Sequence, residues 1–74
     1  MLFEKIRTII CDYFELCEDE VTPETTFADI GADSLDMVDL AMSLEDDFRV
    51  EVPDEALEKF VVVEDVVNYI EAVL

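Results

Sequence analysis

Apolar residues in this chain recur at intervals of three and four in three separate stretches, and strict alternation is weak throughout. That periodicity is the signature of amphipathic helices rather than strands. The first stretch predicts a helix over residues 2–15. Leu2, Phe3, Ile6, Ile9, Ile10, Tyr13 and Phe14 fill an arc of roughly 140° at ~100° per residue. Glu4, Lys5, Arg7, Thr8, Asp12 and Glu15 take the other side. The second stretch predicts a helix from Ser34 to Phe48, and the third a helix from Val63 to Val73. A short helix is expected over residues 53–58. Proline suits a first helical position, and Asp54 and Glu55 favour the positive end of a helix dipole. Valine is a poor helix former, so a strand over residues 60–63 is the competing reading there. Residues 16–33, with Pro23, several threonines and Gly31, read as a loop pinned to the core by Val21, Phe27 and Ile30. A loop that long in a small domain is more often functional than not. The fold class expected is all-α: a small antiparallel four-helix bundle, three main helices plus a short one, with a long loop between the first two.

The chain has 74 residues, enough for one small domain that buries only about 60–65% of its unfolded surface. Its 21 acidic and 4 basic side chains leave a formal charge of −17, with no histidine. Such a charge suggests disorder, but a hydrophobic fraction of 53% argues for a packed core. Four cations cannot neutralise a phosphate track, which excludes unassisted nucleic-acid binding. An anionic membrane would repel the chain, and no stretch approaches the roughly 18 apolar residues of a span. Basic proteins are the expected partners, drawn by electrostatic steering. The N-terminus lacks the pattern of a signal peptide, so the chain reads as complete, cytoplasmic and monomeric. Cys11 and Cys17 are too few and too close for a disulfide scaffold, and read as reduced thiols. Cys11 is expected at the surface, open to slow oxidation.

The second helix is the most informative. Stepping ~100° per residue places Met37, Leu40, Ala41, Leu44 and Phe48 in one core stripe. Leu35, Val38 and Met42 fall off that stripe, bordered by Asp39 and Asp46 on one side and Glu45 on the other. Two readings are open. In one, the helix is buried on two sides. In the other, the strip is an exposed docking surface, with carboxylates to steer a basic partner and aliphatic side chains to supply contact area.

Ahead of this helix lies Gly31-Ala32-Asp33-Ser34-Leu35-Asp36. Either Asp33 or Ser34 can serve as the helix cap, accepting a bond from a first-turn N–H. A hydroxyl at Ser34 would also be a place where a phosphate ester is favoured by the free N–H groups and the dipole. With no histidine, and lysine only at Lys5 and Lys59, Ser34 has no evident base to make it a nucleophile. Any chemistry there requires another enzyme. Asp29, Asp33 and Asp36 do not follow a calcium-loop spacing and suggest at most weak, incidental cation binding. No metal site is expected.

The run from Phe27 to Leu40, FADIGADSLDMVDL, closely resembles the modification site of acyl carrier proteins. Leu44-Glu45-Asp46-Asp47-Phe48, Val52-Pro53-Asp54 and Tyr69-Ile70 resemble the same family, so the likeness spans nearly the whole chain as one acyl-carrier domain, residues 1–74. The resemblance implies a non-catalytic carrier whose Ser34 receives 4′-phosphopantetheine from coenzyme A through a phosphopantetheinyl transferase, with Asp33 supporting. The arm's thiol would then shuttle acyl thioesters among the ketosynthases, acyltransferases, reductases and dehydratases of fatty acid synthesis. It also implies partner recognition by the second helix, which transfers onto Leu35, Asp36, Val38, Asp39, Met42, Glu45 and Asp46. The acidic run after Ser34 favours the acyl type. A carrier for polyketide, D-alanyl or peptidyl synthesis, and a non-carrier acidic interaction protein, are the alternatives. One departure stands out: Val61-Val62-Val63 occupies the place of a polar helix start, leaving the last helix without an evident cap.

Overall fold

Helices form where the periodicity places them in the computed structural model, which describes residues 2–74. In chain order they are α1 (Leu2–Phe14), α2 (Ser34–Phe48), α3 (Asp54–Leu57) and α4 (Val63–Val73), with a 3₁₀ turn at Glu18–Glu20. The expected all-α architecture is the one observed. The limits of α2 and α4 coincide with those read from spacing. α1 ends one residue early because Glu15 turns into the left-handed region, at φ 57°. α3 is shorter than expected. Pro53 stands outside it as an extended N-cap, and its carbonyl accepts from Ala56 and Leu57 at 3.0 and 3.1 Å.

α1 and α2 run antiparallel. Lys5 and Thr8 near the start of α1 share a groove with Asp47 and Phe48 at the end of α2. Tyr13, near the end of α1, reaches Asp36 and Asp39 near the start of α2. Between the helices lie Ile6 and Ile10 from α1, Leu40, Ala41 and Leu44 from α2, and Val63, Val66 and Ile70 from α4. Each large aliphatic side chain so buried contributes about 1.5–3 kcal/mol. Val21 and Phe27 pin the long loop as expected, while Ile30 is only half-buried.

The buried face of α1 is turned from the predicted arc. Cys11, expected at the surface, is buried, and Tyr13 stands at the exposed edge. The cause is the loop. Its 3₁₀ turn folds over the Arg7–Cys11 side of α1, where Arg7 pairs with Glu18 at 3.6 Å. Burial, and then the nearby Glu18 charge, push the Cys11 thiol pKa upward. Cys17 is the exposed cysteine.

The same loop solves the capping of α4. Val63 N–H donates to the Thr25 carbonyl and Glu64 N–H to the Pro23 carbonyl, each at 3.0 Å. Within α4, the Asp65 carboxylate accepts from the N–H groups of Val61 and Val62 at 2.9 and 3.1 Å. The strand considered over residues 60–63 reduces to one isolated antiparallel bridge, Thr26 with Val62.

Candidate functional site

The start of α2 is built from a tight turn and a local cap. Gly31 adopts φ 77°, a conformation glycine takes without steric penalty. Its N–H donates to the Ala28 carbonyl at 3.1 Å, and Ala32 N–H donates to the Phe27 carbonyl at 3.0 Å. Asp33 follows in extended conformation as the N-cap. Its Oδ1 accepts from Asp36 N–H at 2.9 Å, and Asp36 Oδ2 accepts from Asp33 N–H at 3.2 Å. This reciprocal pair is a capping box. Of the two candidate caps, Asp33 performs the task.

Ser34 is thereby released. It is the first residue of α2 and is exposed. Among the described residues, no hydrogen bond engages its hydroxyl. Its own N–H and that of Leu35 belong to the first-turn groups a helix leaves unpaired, so the position favours an anion attached there. Two grooves open beside it, on either side of Met37. One, of about 320 Å³, is walled by Met37, Val38 and Leu57 with Asp54 and Glu58 at its rim. The other, of about 550 Å³, runs past Phe27, Ala32, Phe60 and Val61. Neither groove includes Lys5 or Lys59. Ser34 thus faces solvent with carboxylates, and neither lysine, lining the grooves beside it.

Along α2 the strip is open to solvent: Leu35 is 68% exposed, Val38 41% and Met42 59%. Burial on two sides is thus excluded. Asp39 and Asp46 are exposed alongside it. The other two carboxylates of the expected face also carry structural bonds. Asp36 is half of the capping box. Glu45 is half-buried, and its Oε2 accepts from Val52 N–H at 2.8 Å, fastening the link into α3. Asp29, Asp33 and Asp36, considered for weak cation binding, do not converge. Among the described residues no three acidic, cysteine or histidine side chains are arranged to hold a metal.

Tyr13 is the residue that sequence reasoning missed. Its place in the apolar arc assigned it to the core, yet its hydroxyl donates toward Asp39 Oδ2 at 2.9 Å and lies 3.3 Å from Asp36 Oδ1. The bond to Asp39 is the main cause of a phenol pKa pushed up to about 12, with desolvation and the two carboxylate charges adding to it. The available signal was its hydroxyl, since an amphipathic ring keeps its polar tip in water.

The chain matches the family described as phosphopantetheine attachment site over residues 4–70, a span that includes Ser34 and all of α2. It is 54% identical over 71 residues to the acyl carrier protein of Helicobacter pylori strain G27, covering 95% of this chain and 91% of that relative. It is 51% identical over 73 residues to the acyl carrier protein of Clostridium acetobutylicum, covering 97% and 95%. It is also 51% identical over 70 residues to that of Clostridium perfringens strain 13, covering 93% and 92%. Among the described residues no helix is long and apolar enough to cross a membrane.

Proposed function

The chain belongs to the acyl carrier protein family, and from that membership we propose that Ser34 is the residue that bears its 4′-phosphopantetheine. The protein is a carrier rather than a catalyst, and it serves the enzymes of fatty acid synthesis. Residues 1–74 act as one carrier domain, monomeric and cytoplasmic. The observation that carries the assignment is the unengaged, exposed hydroxyl at the first position of α2.

The residues around Ser34 fit such a group. A phosphodiester on Oγ would meet the positive end of the α2 dipole. Asp33 supports the site through the cap, which holds the turn and leaves the serine outside the hydrogen-bond network. In loading, Ser34 Oγ attacks the coenzyme A phosphorus that bears the pantetheine ester. The new O–P bond forms as the bond to adenosine 3′,5′-bisphosphate breaks. The serine proton goes to a base on the phosphopantetheinyl transferase. Once attached, the arm supplies a terminal thiol that holds an acyl group as a thioester. Met37, Val38 and Leu57 offer apolar walls beside its root, where each methylene buried contributes about 0.8 kcal/mol.

The exposed strip of Leu35, Val38 and Met42, with Asp36, Asp39, Glu45 and Asp46 around it, receives the partner enzymes. These are the transferase and the ketosynthases, acyltransferases, reductases and dehydratases that act on the cargo. A net charge of −17 favours partners with a basic rim and makes association fast and salt-sensitive.

The test is loading followed by intact mass. With coenzyme A, Mg²⁺ and a phosphopantetheinyl transferase, the protein gains one phosphopantetheine and the Ser34→Ala variant gains none. Modification of Ser34→Ala, or none of the parent, refutes the assignment.

A further inference from the structure

We propose that Tyr13 is a positioning residue for partner docking: its hydroxyl, delivered from the end of α1, sets Asp36 and Asp39 side by side as one two-carboxylate receptor for a guanidinium on the partner enzyme. This rests on the reading of α2 as the docking face.

Asp36 and Asp39 are three positions apart on α2, so they share a face, and as like charges they repel. Left alone, they would splay. The capping box fixes Asp36 through Oδ2, which accepts from Asp33 N–H. Its Oδ1 faces the Tyr13 hydroxyl at 3.3 Å, and the same hydroxyl lies 2.9 Å from Asp39 Oδ2. One donor thus ties the mobile carboxylate to the fixed one. The ring that carries it is itself held, edge-on to Phe14 with centroids 4.8 Å apart. With its titration near 12, the phenol keeps its proton throughout the neutral range and always donates.

The arrangement leaves acceptors over. Among the described residues no hydrogen bond engages Asp39 Oδ1, and Asp36 Oδ1 retains a lone pair because an ionised carboxylate offers about four acceptor sites. The hydroxyl therefore restrains the pair without consuming it. Two neighbouring carboxylates held in a fixed relation suit the planar fork of arginine better than the point charge of lysine. Restraint before binding removes part of the ordering cost that docking would otherwise carry.

Tyr13→Phe removes one oxygen and retains the ring. Loading of Ser34 by a phosphopantetheinyl transferase at saturating coenzyme A gives the readout, with KM for the carrier reporting docking. Tyr13→Phe is expected to raise KM roughly three- to tenfold, the scale of one hydrogen bond to a charged group, with kcat unchanged. Asp39→Asn is expected to raise KM as well, and adding Tyr13→Phe to it changes little further, because the hydroxyl acts through Asp39. Asp39→Asn should also return the Tyr13 phenol toward its ordinary titration, followed by phenolate absorbance. If Tyr13→Phe leaves KM at the parent value while Asp39→Asn raises it, the positioning role is refuted and the docking face stands. If Asp39→Asn and Met42→Ala both leave KM unchanged, the docking face itself is refuted. Equal penalties for Tyr13→Phe in the parent and in Asp39→Asn would overturn action through Asp39.

Discussion

The starts of α2 and α4 solve one problem in opposite ways. At α2 the cap is contained in four consecutive residues, with Asp33 and Asp36 exchanging bonds. At α4 the local carboxylate of Asp65 is joined by acceptors from afar, the carbonyls of Pro23 and Thr25. The first residue of α2 is exposed Ser34, whereas the first residue of α4 is Val63, with 0% of its surface accessible. A self-contained cap lets a helix end project from the protein and leaves its first side chain open to solvent. A borrowed cap makes the helix end a joint between distant segments.

The sharpest way to break this contrast is to shorten a side chain at each start. Val63→Ala should cost roughly 2 kcal/mol by chemical denaturation, because it opens a void in the core. Leu35→Ala, at a 68% exposed position, should stay within about 0.5 kcal/mol. Comparable losses would mean that α2 begins as a joint too. Next come the caps. Asp65→Ala strips two N–H groups of their acceptor and should cost about 1–2 kcal/mol, loosening the docked loop as well as α4. Asp33→Ala should cost about 1 kcal/mol, with faster hydrogen exchange confined to the first turn of α2. Loop-wide exchange in Asp33→Ala would count against a self-contained cap.

The smallest effect concerns the Tyr13 hydroxyl, which ties α1 to the start of α2. Tyr13 holds its proton more tightly in the folded chain than in the unfolded one, where it titrates near 10.0. Its contribution to stability is complete below pH 10. It declines as the unfolded chain loses the proton first, and is gone once pH passes about 12. Denaturation of Tyr13→Phe across that window should show the slope of stability with pH reduced. An unchanged slope would assign alkaline unfolding to other groups.

Much of this was legible in the residues. Spacing alone located α2 and α4, because each has a stripe that only a 3.6-residue period brings together. The angular positions of Leu35, Val38 and Met42 separated them from the core stripe before any packing was known. The cap of α2 was undecided because aspartate and serine serve equally well there, and the choice fell to the Asp36 partnership. Cys11 was misplaced because the arc of an isolated helix takes no account of a loop folding back over its flank. The cap of α4 was hidden for a similar reason. Two of its acceptors are backbone carbonyls, which every residue has and no side chain advertises. Tyr13 was hidden because its ring fits an apolar arc while its hydroxyl answers to another helix.

The bridge between Thr26 and Val62 bears on the order of assembly. Its two strands of backbone are synthesised far apart, and closing so wide a loop is slow beside the winding of a helix whose signals are all local. The hypothesis is that α2 nucleates early and the α4 junction locks last. Refolding kinetics would then register Asp33→Ala chiefly as slower folding and Asp65→Ala chiefly as faster unfolding, and the reverse assignment would sink it.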